Sequence, residues 1–290
     1  MPYAEARVGI AAPGLTFAAL VFEGVRGYLD PDDDQVSLFR LEEHLERMAF
    51  SMKMLRLDTP PSATRLHDAA IETVRANDLR EDCYLRIQAY VDGSGDMAAT
   101  GPSAWNVLAR PRPRSPAFRE GRHFRISTWR RLADNASPPR VKASANYLNG
   151  RLAGLEARET GFDGAIILTE RGTVAEGPGG CIFMARGGTL ITPSITSGIL
   201  ESITRGTLVE LAGELGLAVE VREVDRTELY AADEVFYCGT GQEITPVLSI
   251  DRMTVGDSQP GPITRALQDA YDAVVRGIEP GHPEWRTPVW

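Results

Sequence analysis

The sequence predicts a mixed α/β protein built from a small α+β domain followed by a larger α/β domain. Three observations carry this reading. Strand-type and helix-type apolar periods alternate along the chain. Residues 110–116, dense in proline and arginine, interrupt them and mark the best boundary. The 290 residues, 43% of them apolar, are enough for two cores. The expected division is residues 1–112 for the small domain, 113–122 for a linker and 123–290 for the large domain.

Taken in order, Phe17, Leu20, Phe22, Val25 and Tyr28 read as a strand pair or one long bent strand. Residues 37–41 are a short strand running into a helix. That helix carries Leu41, Leu45, Met48, Met52 and Leu55 on one face, the 3.6-residue period. Asp58-Thr59-Pro60-Pro61 stops it, and a second helix follows over 63–76. Residues 83–91 and 105–109 read as strands. Beyond the linker come a strand near 123–128, a loop of small residues around Lys142, and a helix carrying Leu148, Leu152 and Leu155. Residues 164–168 form a strand, and the glycine-rich turn at 176–180 leads into another over 181–184. Ser202 starts a helix with Ile203, Leu208, Leu211 and Leu215 inward. A strand over 233–238 ends in Gly239-Thr240-Gly241, and a last helix spans 262–275.

Composition removes several function classes. The net charge of −9 gives no electrostatic case for nucleic-acid binding. The basic clusters at 110–114 and Arg130-Arg131 are short and read as linker and surface. No stretch approaches the roughly 18 apolar residues of a membrane span, and the first residues lack a signal-peptide pattern. Cys83, Cys181 and Cys238 are widely spaced, so reduced thiols in a cytoplasmic protein are expected. Cys181 and Cys238 read as small buried hydrophobes. The four histidines show no metal spacing and are given no role.

The chemistry is concentrated on one residue type. The chain has 29 arginines and only two lysines, Lys53 and Lys142. Arginine replaces lysine wherever only charge matters, but it cannot lose a proton at accessible pH. Lys53 reads as a solvated helix residue. Lys142, among small residues at a helix start, reads as a reactive amine. The most common use of such an amine is a Schiff base with a carbonyl, including that of pyridoxal phosphate. That cofactor also needs a carboxylate for its ring nitrogen, helix amides and an arginine for its phosphate, and a donor for its phenolic oxygen. Taken singly, the other candidates are bland. Arg47 would be a surface ion pair, Tyr147 a half-buried aromatic, Glu176 and Thr240 turn residues, Tyr84 and Arg86 one face of an edge strand, and Phe22 core.

Together they form a pattern. Val21-Phe22-Glu23-Gly24-Val25-Arg26-Gly27-Tyr28 resembles the VFEGIRxY signature of branched-chain aminotransferases. Leu41–Met48, Lys142–Asn149, Val174-Ala175-Glu176-Gly177, Ile203-Thr204-Arg205 and Asp233–Val247 resemble further segments of that family, in family order, across the whole chain. The resemblance implies a fold-type-IV pyridoxal phosphate enzyme, a homodimer of two-domain subunits with the cofactor between the domains. It implies Lys142 as the Schiff-base and proton-shuttling lysine. Glu176 would pair with the pyridine nitrogen and Tyr147 with the phenolic oxygen. Arg47, the amides of Ile203 and Thr204, and the Thr240 hydroxyl would hold the phosphate. The amides of Thr240 and Gly241 with the Tyr84 hydroxyl would hold the substrate α-carboxylate. Arg86 would take an acidic donor's distal carboxylate, and Phe22 would line the side-chain pocket.

The resemblance departs in four places. The chain enters it late, so the small domain is expected to lack an edge strand. Phe17 stands where the family has a tyrosine that helps hold a donor carboxylate. Gly180 and Cys181 replace a carboxylate and an amide. Ser202 replaces a glycine beside the phosphate. The loop at 92–97 also differs. The expected activity is transfer of an amino group between a branched-chain or other apolar L-amino acid and a 2-oxo acid by ping-pong half-reactions, in a specialised amino-acid pathway. The alternatives are a D-amino-acid or (R)-amine transaminase or an aminodeoxychorismate lyase of the same fold and, more remotely, a non-catalytic binding protein.

Overall fold

The computed structural model of the chain describes residues 1–278 and 281–290. After a short helix α1 (Pro13–Thr16), strands β1 (Leu20–Leu29) and β2 (Val36–Phe39) lead to helices α2 (Leu41–Met54) and α3 (Ala63–Ala76). Strands β3 (Cys83–Val91) and β4 (Ser103–Pro111) complete the first part. Helix α4 (Ala117–Glu120), β5 (Arg122–Arg130), α5 (Tyr147–Glu159), β6 (Gly164–Leu168), β7 (Val174–Glu176), β8 (Cys181–Arg186) and β9 (Thr189–Pro193) follow. Then come α6 (Ile203–Glu214), β10 (Val219–Arg222), β11 (Glu234–Gly239), β12 (Glu243–Ile250), β13 (Met253–Thr254), α7 (Pro262–Arg276) and β14 (Arg286–Pro288).

Two sheets result. The first is antiparallel, in the order β14-β2-β1-β3-β4. Helices α2 and α3 seal one face over a core of Val21, Val25, Leu45, Met48, Leu66 and Leu85. Along β3 the odd positions from Cys83 to Val91 are buried in this core. Side chains alternate across a strand, so Tyr84 and Arg86 share the opposite face. The second sheet is mixed, in the order β10-β9-β8-β11-β12-β5-β6-β7, with β13 on β12. It rolls on itself: the Val174 N–H donates to the Val224 carbonyl at 2.8 Å, so the β7 edge meets the chain leaving β10. Joining the edges in this way leaves few unpaired backbone groups. Helices α6 and α7 cover it over a core of Leu208, Leu211, Phe183, Phe236 and Tyr271.

The expected mixed α/β class is observed, with local departures. Of the two readings for this stretch, a single long strand is observed, over Leu20–Leu29, and Phe17 lies before it as the half-exposed cap of α1. One edge of the first sheet comes from far downstream: β14, assigned to the large domain by sequence, pairs with β2. Leu148 is exposed, and α5 instead presents Ala153 and Ala157 to Ala165 and Ile167. Leu215 is exposed and caps α6 rather than packing inward. Helical period places a residue on a face, but the neighbouring element decides which face is covered.

The linker is pinned by charge. Arg26 of β1 faces Glu243 of β12 at 3.5 Å and Asp82 at 3.8 Å. Glu243 meets Arg114 at 2.9 Å, Arg114 meets Asp272 of α7 at 2.6 Å, and Arg276 meets both Asp272 at 3.0 Å and Asp82 at 2.8 Å. Three guanidiniums and three carboxylates therefore alternate in a closed ring between the sheets. Arg26 and Glu243 are almost entirely out of water. Removing one partner of a buried pair leaves the other uncompensated, at about 3–5 kcal/mol. Glu243→Gln is accordingly expected to lower stability by about that amount. Urea unfolding at neutral pH measures it, and a loss under about 1 kcal/mol, the level of a surface pair, would refute the ring's importance.

Candidate active site

A cavity of about 220 Å³ lies between the two sheets, and Lys142 projects into it. The lysine loop is stitched to the first sheet. The Phe22 N–H donates to the Lys142 carbonyl at 3.0 Å, and Val21 bridges Ala143. The Lys142 N–H donates to Ser51 Oγ of α2 at 3.2 Å. Lys142 Nζ donates to Tyr147 Oη at 2.8 Å. The rings of Phe22 and Tyr147, with centroids 4.8 Å apart, flank the amine. Among the described residues no carboxylate forms an ion pair with it.

Glu176, at the end of β7, supplies a buried carboxylate. Arg131 Nη2 meets its Oε1 at 2.7 Å, and the Leu200 N–H donates to its Oε2 at 3.2 Å. Burial pushes the Glu176 carboxyl above its ordinary range, and the charges of Arg131, Lys142 and Arg47 pull it back only in part. Such a carboxylate gains from a cation placed beside it. Cys181 lies 3.9 Å from Glu176 Oε2. Burial and that carboxylate push its thiol up to about 12, so it stays protonated. At Gly180 any Cβ would fall 2.2 Å from the Cys238 carbonyl, so the close β8–β11 pairing demands glycine there.

At the other end stands the start of α6. Ser202 replaces the family's glycine as an N-cap, its Oγ accepting the Arg205 N–H at 3.2 Å. The amides of Ile203 and Thr204 have no acceptor among the described residues, as expected for a first helical turn. Ile203 lines the cavity, whereas the Thr204 side chain is buried away from it. Arg47 also lines the cavity, held from behind by Glu23. Nε and Nη2 fork onto the two Glu23 oxygens at 2.7 and 2.8 Å, and Nη1 donates to the Glu201 carbonyl at 2.7 Å. A guanidinium carries five N–H groups, so two remain for a ligand. His44 donates from Nδ1 to Glu23 at 2.7 Å. Burial raises the Glu23 carboxyl, but Arg47 and His44 together drive it well below the ordinary range.

The opposite wall is the site-facing side of β1 and β3. Gly24 pairs across from Arg86, and a Cβ at Gly24 would sit 2.0 Å from Tyr84 Oη. Glycine is therefore what lets the phenol lie across β1. The Arg86 guanidinium rests on the Phe22 ring at 4.6 Å. Thr240 and Gly241 close the wall, and their amides have no acceptor among the described residues. The residues expected from sequence thus gather around one cavity, except for the Thr204 side chain.

This donor set fits pyridoxal phosphate. It offers one amine, one phenol, one buried carboxylate, and a helix start beside an arginine with spare donors. Reading the sequence alone misses four members. Glu23 and His44, which hold Arg47, are not singled out by it, although Glu23 lies within the VFEG segment. Arg131 reads as surface and Arg112 as linker, yet both line the cavity. Short basic runs carry no local signal that separates a solvated arginine from one turned inward.

Comparison with known proteins agrees. The family model described as amino-transferase class IV matches residues 20–250. A probable branched-chain-amino-acid aminotransferase of Aquifex aeolicus is 37% identical over all of this chain and 94% of its own length. A branched-chain amino acid aminotransferase from Thermobaculum terrenum, solved in PLP-form, is 44% identical with a TM-score of 0.93, covering 100% of this chain and 95% of that one. A branched-chain aminotransferase from the archaeon Thermoproteus uzoniensis, solved with norvaline, is 39% identical with a TM-score of 0.93, covering 100% and 96%.

The Glu23 cluster has a measurable signature. A carboxylate depressed in the folded state stabilises fully above its unfolded value of about 4.3 and loses that contribution as pH falls through the folded value. Wild-type unfolding midpoints should therefore fall steeply between about pH 4 and pH 2. Glu23→Gln should be less stable by about 3–5 kcal/mol at pH 7 and show a flatter acid limb. Equal acid slopes in the two proteins would exclude an ionised Glu23 in the folded state.

Proposed function

The chain belongs to the class IV aminotransferases and is a pyridoxal-phosphate-dependent aminotransferase of the branched-chain type; we propose that it exchanges amino groups between apolar L-amino acids and 2-oxo acids through Lys142. The observation that carries this is the Lys142–Tyr147 pair at 2.8 Å, facing the buried Glu176 across one cavity. When bound, pyridoxal phosphate supplies a carbonyl for the amino group and a ring that accepts electron density from the substrate α-carbon.

The chain's residues would do the rest. Lys142 Nζ would carry the proton from the substrate α-carbon to the carbonyl carbon of the cofactor, and in the opposite direction in the second half-reaction. Tyr147 Oη orients that amine and donates toward the phenolic oxygen. Glu176 holds a proton on the ring nitrogen, and Arg131 fixes the carboxylate that does so. Arg47, the Ile203 and Thr204 amides and the Thr240 hydroxyl bind phosphate at the start of α6. Tyr84 with the Thr240 and Gly241 amides binds the α-carboxylate. Phe22 forms the apolar wall, and Arg86 receives a distal carboxylate. Phe17 offers no hydroxyl, so an acidic donor relies on Arg86 at that end.

We also infer a homodimer in the cytoplasm. Ile10, Leu15 and Met97 are exposed on a single chain, which supports a covering partner. Cys83, Cys181 and Cys238 are free and buried, which supports a reducing compartment.

Visible absorption of the holoenzyme, followed while L- and D-amino acids are added singly, tests the reading. L-leucine is expected to bleach the yellow band, and D-leucine is not. Lys142→Ala should lose on the order of 10²–10⁴-fold in turnover. Bleaching by D-amino acids alone would replace the proposal with a D-specific transaminase. A protein that never turns yellow with added pyridoxal phosphate would leave only a binding role.

A further inference from the structure

Arg112 stands just beyond β4, where the chain enters the linker. Its backbone is fixed on both sides. The Arg112 N–H donates to the Asp82 carbonyl at 2.7 Å, and Arg26 Nη2 donates to the Arg112 carbonyl at 3.0 Å. Asp82 and Arg26 both belong to the charged ring between the sheets, so the ring sets where this side chain starts. The guanidinium then turns into the cavity. It lies 5.1 Å from the centroid of the Tyr84 ring, and Nη2 donates to the Gly241 carbonyl at 2.8 Å.

Its charge is unanswered. Among the described residues Arg112 forms no ion pair, although Arg114, two residues on, meets two carboxylates. Burial and the nearby Arg26 disfavour its charged form. A partly buried cation without a counter-ion is unfavourable unless an anion visits it. The neighbours say which anion. Tyr84 and Gly241 are the groups assigned above to the substrate α-carboxylate. The Arg86 guanidinium rests instead on the Phe22 ring.

We propose that Arg112 is a specificity-determining residue that binds the α-carboxylate of every amino- and oxo-acid substrate, leaving Arg86 for the distal carboxylate of acidic ones. The inference rests on the aminotransferase reading of the cavity. It turns an α-carboxylate site built from neutral donors into one with a full positive charge. A charged partner roughly doubles the strength of a carboxylate hydrogen bond. It also makes the carboxylate a requirement, because simple amines would leave the cation uncompensated.

The test uses the holoenzyme and two unreactive acids, 4-methylpentanoate and glutarate, with affinities measured by calorimetry. Arg112→Gln should weaken both acids together, on the order of 10- to 100-fold. The KM values for L-leucine and L-glutamate should rise by a common factor, with kcat falling less than KM rises. Arg112→Lys should recover part of the affinity. Arg86→Gln should weaken glutarate more than 4-methylpentanoate. Unchanged affinity for 4-methylpentanoate in Arg112→Gln overturns the proposal. So does a loss confined to glutarate, which would make Arg112 a distal-carboxylate residue. If Arg112→Gln fails to fold, the Arg112→Lys comparison decides: affinity for both acids should fall together, and a loss for glutarate alone counts against the proposal. Failure of wild-type protein to turn over any L-amino acid would sink the transaminase reading, while the binding comparison would still settle Arg112.

Discussion

Everything in the site depends on the two sheets keeping a fixed relation, and that relation rests on a ring of alternating charges. Arg26, Glu243, Arg114, Asp272, Arg276 and Asp82 come from β1, β12, the linker, α7 and the turn before β3. Apolar packing alone would hold the sheets together but tolerate sliding. Buried ion pairs do not tolerate it, because a displaced charge is left without a partner in a medium that solvates it poorly. The ring therefore specifies geometry more than it adds stability. Its position beside the cavity means that Tyr84 and Arg86 from one sheet meet Thr240 and Gly241 from the other in one arrangement.

The cavity itself is strongly cationic in a chain of net charge −9. Arg47, Arg86, Arg112, Arg131 and Lys142 line it, against the single carboxylate of Glu176. Glu23 balances Arg47 from outside the lining. Both molecules expected there carry negative charge: a phosphate on the cofactor and a carboxylate on the substrate. Low-dielectric walls focus such a field, so a protein that repels anions overall can still gather them at one opening. The positive groups are also segregated, with the α6 start and Arg47 at one end and Arg112 and Arg86 at the other. The arrangement thus sorts phosphate from carboxylate by position.

Much of this is legible in the sequence, and the reasons differ by residue. Lys142 stands out because arginine has replaced nearly every other lysine. The shared face of Tyr84 and Arg86 follows from strand alternation, which local sequence determines. The helix start at Ser202 is legible, although its serine is a cap rather than a loss. Arg112 and Arg131 are not legible, because an arginine in a short basic run becomes functional only through partners distant in sequence. Glu23 and His44 are hidden for a related reason. Their pairing with Arg47 joins a strand to a helix, and nothing local announces it. Leu148 and Leu215 mislead because a periodic apolar residue marks a face without naming what covers it.

The strand β14 has a consequence for how the protein is made. It covers the free edge of β2, and Val289 and Trp290 bond to Gln35 from 254 and 255 positions away. A ribosome releases β1 to β4 long before it releases their last partner. During that interval the β2 edge carries open hydrogen-bonding groups beside the apolar Val36 and Leu38. Exposed edges of this kind invite pairing with other chains. The N-terminal sheet can form early but can be closed only late, so the nascent chain spends most of its synthesis with an adhesive margin. Crowded polysomes, rather than dilute refolding, are where this fold is most exposed to misassembly.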